Sequence, residues 1–221
     1  MDKAPAFQPP RFIAVEGPLR VGKTTLADLL AERLHAARLR DIEDNPFLES
    51  FYQGQPGAAF QTQLHFLIAR FKQWRALDVS STATRLVLSD YLFAKDKIYA
   101  YLNLNDRELK LYEEYYELMA GQAPVPDLVL YLQAKPETLR ERIARKNIRA
   151  EHQISAEYLE ELVKAYEHFF FRYTASDLLV VETSGIDFLR QSGPIEELLE
   201  RLSQPVRGTQ YFLPLRSARA D

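Results

Sequence analysis

The nine residues at 17–25, with the sequence GPLRVGKTT, constrain the fold of this chain more than any other segment. They match the pattern G-x-x-x-x-G-K-[ST], in which two glycines let successive backbone N–H groups turn inward on a phosphate group. An apolar run at 12–15 precedes the segment, and a helical pattern at 24–34 follows it. The positive end of a helix adds to the attraction for an anion. The sequence therefore predicts a phosphate-binding loop between a strand and a helix of an α/β fold.

The residues of this loop predict what binds there. Lys23 is expected to reach the outer phosphates of a nucleotide and to take part in catalysis, and the Thr24 hydroxyl is expected to bind Mg²⁺. The residues predicted to hold the nucleotide together with these two are Gly17, Leu19, Arg20, Val21, Gly22 and Thr25. We therefore expect ATP as the cofactor, with Mg²⁺. The loop alone does not indicate which group receives the phosphoryl.

Short apolar runs alternate with longer helical patterns along the chain. The runs lie at 12–15, 39–42, 86–89, 128–132 and 178–181. The helical patterns after the first lie at 59–77, 106–119, 136–145 and 155–173, with a last one near 195–202. This alternation is typical of a parallel sheet that is covered by helices. We predict a five-stranded parallel sheet flanked by helices.

Length and composition favour one domain. The chain has 221 residues, 47% of them hydrophobic, which is enough for one sizeable core. We expect a flexible leader at 1–10, a single domain at 11–203 and a C-terminal tail at 204–221. The leader lacks the apolar core of a signal peptide, and no segment approaches the length of a membrane span. We therefore expect a cytoplasmic protein with no membrane partner.

Charge and cysteine content exclude further classes of protein. The net charge is −3, and the chain has no basic tail or stripe that would favour a nucleic acid polymer as the partner. It has no cysteine, so neither a disulfide framework nor a thiolate metal site is possible. The expected partners are therefore small molecules.

Acidic residues follow two of the predicted strands, at the edge where a parallel sheet binds its ligands. Asp41 and Glu43 follow the second run, and a carboxylate there can accept the proton of an attacking hydroxyl group. The alternative role for acids at this position is to cap a helix that begins near residue 46. Asp90 follows the third run and is the expected second partner of Mg²⁺, the alternative being a surface turn residue.

Basic residues are concentrated in the segment 136–151. They are Arg140, Arg142, Arg145, Lys146 and Arg149. Cations at three- and four-residue spacings share one helix face, so Arg142, Arg149 and one of the two between them can converge on one phosphate group. This pattern predicts an arginine-rich lid that stabilises the transferring group and excludes water. The alternative is a solvent-exposed helix face balanced by neighbouring glutamates.

Gln63 and Arg70 lie two helical turns apart in the pattern at 59–77, and hence on one face. A glutamine amide offers a paired donor and acceptor, which suits the edge of a nucleobase. Polar residues at these positions are equally compatible with solvent exposure.

Together these segments resemble the deoxynucleoside kinase family, in particular its bacterial deoxyadenosine and deoxyguanosine kinase branch. The resemblance covers residues 12–170, most of the chain. The segments that carry it are EGPLRVGKT at 16–24, EDNPFL at 43–48 followed by FY at 51–52, FQTQ at 60–63 leading to Arg70, SDY at 89–91 leading to Asp96, and the lid that ends at Glu151 with EYL at 157–159. The resemblance implies a P-loop kinase fold and a homodimer.

The resemblance also implies a reaction, the transfer of the γ-phosphoryl of ATP or another nucleoside triphosphate to the 5′-hydroxyl of a purine deoxyribonucleoside in nucleotide salvage. It implies that Tyr52 and Glu151 hold the sugar 3′-hydroxyl. It implies that Gln63 pairs with the base edge, and that Arg70 with Asp96 completes base recognition. The family's metal-associated acid and its lid cations correspond to Asp90, Arg142 and Lys146, with Arg142 expected to take part in catalysis.

The chain departs from the family pattern in three places. Family members carry a general-base glutamate at the end of the second strand, where this chain has Arg40 followed by Asp41. We favour Asp41 as the general base, and the alternatives are Glu43 or the absence of a base. The arginine that many members place after the strand-three acid is Tyr91 here. The lid reads KNIR at 146–149 in place of an Arg-Gly-Arg core, and Arg149 is expected to compensate for the missing lid cation.

Two other functions fit the same motifs. A nucleoside monophosphate kinase, such as a thymidylate kinase, shares the loop and the lid but binds an additional phosphate on its acceptor. A nucleotide-binding homologue that has lost catalysis would account for the missing glutamate, although the intact Lys23 and Thr24 argue against it. The preferred purine does not follow from the sequence.

Overall fold

The backbone forms a parallel sheet flanked by helices. A computed structural model describes residues 9–76, 86–148, 151 and 153–214. Within these residues the sheet has six strands in the order β2-β3-β1-β4-β5-β6, and every neighbouring pair is parallel. The strands are β1 (Phe12–Glu16), β2 (Ala37–Leu39), β3 (Val87–Ser89), β4 (Leu128–Gln133), β5 (Asp177–Glu182) and β6 (Thr209–Phe212).

Helices connect and cover the strands. They are α1 (Lys23–Arg33), α2 (Leu48–Tyr52), α3 (Ala58–Ala76), α4 (Asp96–Asn103), α5 (Asp106–Ala120), α6 (Pro136–Lys146), α7 (Ala156–Phe171) and α8 (Gly193–Leu202). A 3₁₀ turn at Phe93–Lys95 leads from β3 into α4. The βα alternation predicted from the sequence is therefore confirmed.

The central strands carry the core. Every residue of the adjacent strands β1 and β4 is buried except Phe12 and Gln133 at their ends. Strands covered by helices read as nearly continuous apolar runs, which is why they are recognisable in the sequence. The larger apolar cluster packs α1, α7 and α8 against the sheet. A smaller one joins α3 and α5 around Trp74, Tyr91 and Tyr112.

The sheet brings the carboxyl ends of three strands to one edge. Ser89 of β3 is in register with Ala14 of β1 on one side and with Leu39 of β2 on the other. The phosphate loop follows β1, the segment with Asp41 follows β2, and Asp90 follows β3. The three segments that the sequence indicates as functional therefore start from neighbouring points.

The structure adds one strand to the five predicted. β6 lies inside the segment 204–221, which we expected to be a tail, and it pairs with β5. Its residues alternate between exposed and half-buried positions, so it has no continuous apolar run. The backbone N–H of Gly208 donates to Oδ1 of Asp177 at 2.7 Å, which holds the start of β6 beside β5. The domain therefore extends beyond residue 203, and the tail prediction is wrong for Thr209–Phe212.

The second strand ends earlier than predicted. β2 ends at Leu39, so Arg40 and Asp41 lie past its end, whereas the apolar run suggested a strand at 39–42. Most of the predicted leader, at 1–8, and the segment 215–221 lie outside the described residues. Among the helices that the structure describes, none combines the length and the hydropathy needed to cross a membrane.

The N-terminus of α5 provides a test of the local structure. Asn105 Oδ1 accepts hydrogen bonds from the N–H groups of Arg107 and Glu108, and the Glu108 carboxylate accepts one from the N–H of Asn105. We expect Asn105→Ala to lower the free energy of unfolding by about 1 kcal/mol, because it removes this capping box. Urea unfolding measures the change. Asn105→Asp keeps the acceptor oxygens and should be close to wild type; equal losses in the two variants would contradict the capping role.

Candidate active site

The phosphate loop joins the buried end of β1 to the first turn of α1. Gly17 has a φ of 152°, and a Cβ atom there would lie 2.4 Å from the carbonyl oxygen of Leu132 and 2.9 Å from Cγ1 of Val21. No side chain fits in that space, so glycine is required. Gly22, with a φ of 110°, immediately precedes Lys23, the first residue of α1. The loop therefore borders a helix N-terminus, where unpaired N–H groups attract phosphate.

A buried carboxylate, Glu16, anchors the loop to the sheet edge. Its Oε1 accepts hydrogen bonds from the N–H of Gly17 at 2.8 Å and from the hydroxyl of Tyr166 at 3.1 Å. Its Oε2 accepts one from the N–H of Leu92, just after β3, at 2.8 Å. Glu16 thus ties the start of the loop to the neighbouring strand end, a role that sequence reasoning missed.

Lys23 lies against the loop that it belongs to. Its Nζ donates to the carbonyl oxygens of Gly17 at 2.7 Å and Pro18 at 3.1 Å, and it lies 4.0 Å from Oε1 of Glu16. Burial lowers the pKa of Lys23 to about 8, although the charge of Glu16 opposes this shift. A phosphate group would supply the anionic partner that carbonyl oxygens only partly replace.

Two oxygen donors meet beside the loop, where Mg²⁺ is predicted to bind. The Thr24 hydroxyl donates to Oδ2 of Asp90 at 2.7 Å. Oxygen donors of this kind suit Mg²⁺, which keeps several water and phosphate ligands of its own. Within the described part of the chain, no group of three or more His, Asp or Glu side chains could hold a metal by itself. Thr24 and Asp90 therefore fit a Mg²⁺ ion that arrives with the nucleotide phosphates.

Asp90 is held in place by two further contacts. Its Oδ1 accepts a hydrogen bond from the backbone N–H of Asp41 at 2.6 Å, which links the ends of β2 and β3. Nη2 of Arg38 lies 3.0 Å from its Oδ2 as an ion-pair partner. Arg38 was not among the predicted site residues. Its only sequence signal is an arginine within a strand next to apolar neighbours.

Arg70 is shared between two carboxylates. Its Nε donates to Oδ1 of Asp41 at 2.7 Å and its Nη2 donates to Oδ2 of Asp41 at 3.1 Å. Its Nη1 donates to Oδ1 of Asp96. Arg70 and Asp96 are both buried. The structure adds that the same guanidinium also holds Asp41.

Lys95 is a second cation on Asp41 and was not predicted. Its Nζ donates to Oδ2 of Asp41, and its side chain is 6% exposed. It also lies 5.8 Å from the ring centroid of Tyr91, the residue that stands where many family members have arginine. The sequence signal is a lysine directly before Asp96 in an otherwise apolar stretch.

These contacts determine the charge state of Asp41. Burial alone would raise its pKa, but the opposing charges of Arg70 and Lys95 hold the pKa of Asp41 well below its usual range. Asp41 is therefore an ionised acceptor at every working pH, and its affinity for a proton is weak while both cations remain in contact. Glu43, the other carboxylate considered for the role of general base, is exposed to solvent.

Gln63, Arg70 and Asp96 are three buried polar side chains near the acceptor side of the site. Gln63 and Arg70 are both buried on α3. Oδ2 of Asp96 is buried and lacks a hydrogen-bond partner among the residues that the structure describes. Burial raises the pKa of Asp96 to about 6, an effect that the charge of Arg70 only partly offsets. The ring of Phe66 lies 4.7 Å from the Arg70 guanidinium.

Tyr52 and Glu151 are also brought near each other. Burial raises the pKa of Tyr52 to about 12, and the nearby Tyr158 and Glu151 add to the shift. The Glu151 carboxylate is itself held by Arg20 of the phosphate loop, with Nε of Arg20 donating to Oε2 at 2.8 Å. The end of the predicted lid is therefore in contact with the loop.

Arg142 donates hydrogen bonds to backbone carbonyl oxygens, whereas the sequence predicted that it contacts a phosphate group. Its Nη1 donates to the carbonyl oxygen of Val21 at 2.8 Å, and its Nη2 donates to those of Thr183 at 2.7 Å and Ile186 at 2.9 Å. These bonds join the phosphate loop to the segment after β5, so Arg142 supports the position of the loop. Lys146, at the end of α6, is exposed, and the predicted site residue Arg149 lies outside the described residues.

The fold and the site together define a class of protein. A parallel sheet, a glycine-dependent phosphate loop at a helix N-terminus, and a hydroxyl–carboxylate pair beside it are the parts of a P-loop nucleotide phosphotransferase. The sequence model of the family described as deoxynucleoside kinase matches residues 13–207. This chain therefore belongs to the deoxynucleoside kinase family, as its motifs predicted.

Relatives of known activity support this assignment. The deoxyguanosine kinase of Bacillus subtilis (strain 168) is 31% identical over 199 residues, which cover 87% of this chain and 96% of the relative. The deoxyadenosine/deoxycytidine kinase of the same organism is 27% identical over 207 residues, covering 90% and 94%. A solved structure of deoxyadenosine kinase from M. mycoides, with dCMP and dCDP bound, superimposes with a TM-score of 0.74 at 25% identity and covers 87% of this chain and 98% of that one. The predicted P-loop kinase fold and kinase activity are thereby confirmed.

The lowered pKa of Lys23 leads to a prediction about nucleotide binding. At pH 8 Lys23 is about half protonated in the free protein, and phosphate favours its charged form, so binding of ATP should take up a fraction of a proton. Calorimetry in two buffers of different ionisation enthalpy measures this uptake. Lys23→Arg is the matched control, because arginine is always protonated and should show none. Equal uptake by the two proteins would contradict the role of Lys23.

Proposed function

We propose that this protein transfers the γ-phosphoryl of ATP, or of another nucleoside triphosphate, to the 5′-hydroxyl of a purine deoxyribonucleoside. Deoxyadenosine or deoxyguanosine is the acceptor, and the reaction serves nucleotide salvage. The observation that carries the proposal is the buried group of Gln63, Arg70 and Asp96 next to the phosphate loop. The buried amide of Gln63 and Oδ2 of Asp96, which has no hydrogen-bond partner among the described residues, suit the donors and acceptors of a purine edge.

The sugar is bound in this proposal by Tyr52 and Glu151. A tyrosine hydroxyl and a carboxylate can together donate to and accept from the 3′-hydroxyl. Glu151 is paired with Arg20 of the loop, and Tyr52 lies near enough to both for their charges to affect its pKa. A nucleoside seated between these residues and the base pocket has its 5′-hydroxyl toward the phosphates.

Asp41 is the proposed acceptor of the 5′-hydroxyl proton. Phosphoryl transfer passes through a loose transition state, so the base needs to take the proton only late, when the hydroxyl has become strongly acidic. A carboxylate of low proton affinity is sufficient for that step, and its position matters more. A base that drew Arg70 away from Asp41 would remove part of the charge that lowers the pKa of Asp41, and its proton affinity would rise.

The donor side is formed mainly by residues of the loop and of the strand ends. Lys23 holds the outer phosphates, and Thr24 with Asp90 would hold Mg²⁺, which would neutralise developing charge on the phosphates. Lys146 and Arg149 are proposed as additional cations for the donor.

We also propose that the protein is cytoplasmic and forms a homodimer. Exposed Leu111, Tyr115 and Leu118 on α5 offer apolar surface for a dimer contact.

Identification of the product tests the proposed reaction. The protein is incubated with ATP labelled in the γ-phosphate, Mg²⁺, and each nucleoside or nucleoside monophosphate in turn. We expect labelled deoxyadenosine or deoxyguanosine monophosphate. A labelled diphosphate would instead identify a nucleoside monophosphate kinase. Binding of ATP without any labelled product would identify a homologue that has lost catalysis.

Asp41→Asn should lower the turnover number by at least about a hundredfold, because an amide does not accept the proton. Binding of ATP, measured by calorimetry, should be unchanged, since Asp41 is not part of the phosphate loop. Glu43→Gln is the matched control and should keep wild-type turnover. The reverse result, a large loss in Glu43→Gln and none in Asp41→Asn, would show that the base is assigned to the wrong residue.

A further inference from the structure

Arg20 has an unusual backbone conformation in the phosphate loop. Its φ is 60°, in the left-handed region that favours glycine. A residue with a Cβ atom persists in this region only where its surroundings hold it, and such residues are concentrated at functional sites. The contacts of the Arg20 side chain indicate what that function is.

The side chain of Arg20 is paired with Glu151, 131 residues further along the chain. Nε donates to Oε2 at 2.8 Å, and Nη2 donates to Oε1, so one guanidinium holds both oxygens of the carboxylate. The Glu151 side chain is 8% exposed and that of Arg20 is 27% exposed. A bidentate pair of this kind fixes the orientation of a carboxylate as well as its charge.

The carboxylate of Glu151 keeps capacity for another partner. Each of its oxygens has a second lone pair that Arg20 does not use. Burial and then the nearby Tyr158 and Glu151 raise the pKa of Tyr52 to about 12, so Tyr52 is a neutral hydroxyl donor close to the remaining lone pairs of Glu151. A hydroxyl group of a ligand is the complementary chemistry.

We propose that Arg20 is a positioning residue for the acceptor, which orients the Glu151 carboxylate toward the 3′-hydroxyl of the deoxyribose. This inference rests on the proposed function, in which Glu151 and Tyr52 bind that hydroxyl. It assigns Arg20 to the nucleoside, whereas its place in the loop predicts a contact with the nucleotide. The phosphate loop then contributes to both substrates, with Lys23 serving the donor and Arg20 the acceptor.

The test is Arg20→Gly, a substitution that suits the left-handed backbone and removes the side chain. We expect the KM for the deoxynucleoside to rise about tenfold, the factor expected for one lost charge-assisted contact. The KM for ATP should not change, because glycine suits the backbone conformation of the loop and Lys23 is untouched. Steady-state kinetics with each substrate varied in turn measures both KM values.

A 2′,3′-dideoxynucleoside is the matched control substrate, because it lacks the hydroxyl that Glu151 would bind. Its KM should be the same for the wild type and for Arg20→Gly. Glu151→Gln should also raise the KM for the deoxynucleoside, and the double variant should lose less than the product of the two single effects, as expected for residues that act together.

Three results would overturn the inference. They are an unchanged KM for the deoxynucleoside in Arg20→Gly, an equal rise for the deoxy and dideoxy substrates, and a rise in the KM for ATP alone. Failure of the proposed function gives a different result, since the wild-type protein would then phosphorylate no deoxynucleoside.

Discussion

The guanidinium of Arg70 is the contact on which the acceptor side of this site depends. It binds Asp41, beside the phosphate loop, and the buried carboxylate of Asp96. A buried cation is stable only when carboxylates or other acceptors surround it, so the position of Arg70 fixes the positions of both acids. Binding of a base at Arg70 therefore also affects the residue proposed to accept the proton. Recognition and chemistry are linked through one side chain.

Lys95 balances the charge of this group. Two cations, Arg70 and Lys95, face two carboxylates, Asp41 and Asp96, and removing one member of such a buried set typically costs about 3–5 kcal/mol. Many family members place an arginine after the acid of the third strand. In this chain that position is Tyr91, which is fully buried and donates a hydrogen bond to Gln73. Asp90 is paired instead with Arg38, and Lys95, four residues after Tyr91, is paired with Asp41.

The donor half of the site and most of the sheet are predictable because their signals are local. The phosphate loop has a fixed spacing, and β1, β4 and β5 are continuous apolar runs. β2 has three residues and β6 is a half-exposed edge strand, so their limits depend on the strands beside them. Three ion pairs of the site join residues that lie 52 to 131 positions apart: Lys95 with Asp41, Arg38 with Asp90, and Arg20 with Glu151. A single sequence carries no signal for contacts over such distances along the chain.

A crystal structure with deoxyguanosine or deoxyadenosine and a non-hydrolysable ATP analogue is the most direct measurement of how this site works. The predicted result has the base edge on Gln63 and Asp96, and the 5′-oxygen within hydrogen-bond distance of Asp41 on the side of the phosphate loop. A nucleoside bound away from Arg70, or a 5′-oxygen that faces Glu43 instead of Asp41, would contradict the assignment of this pocket to the acceptor.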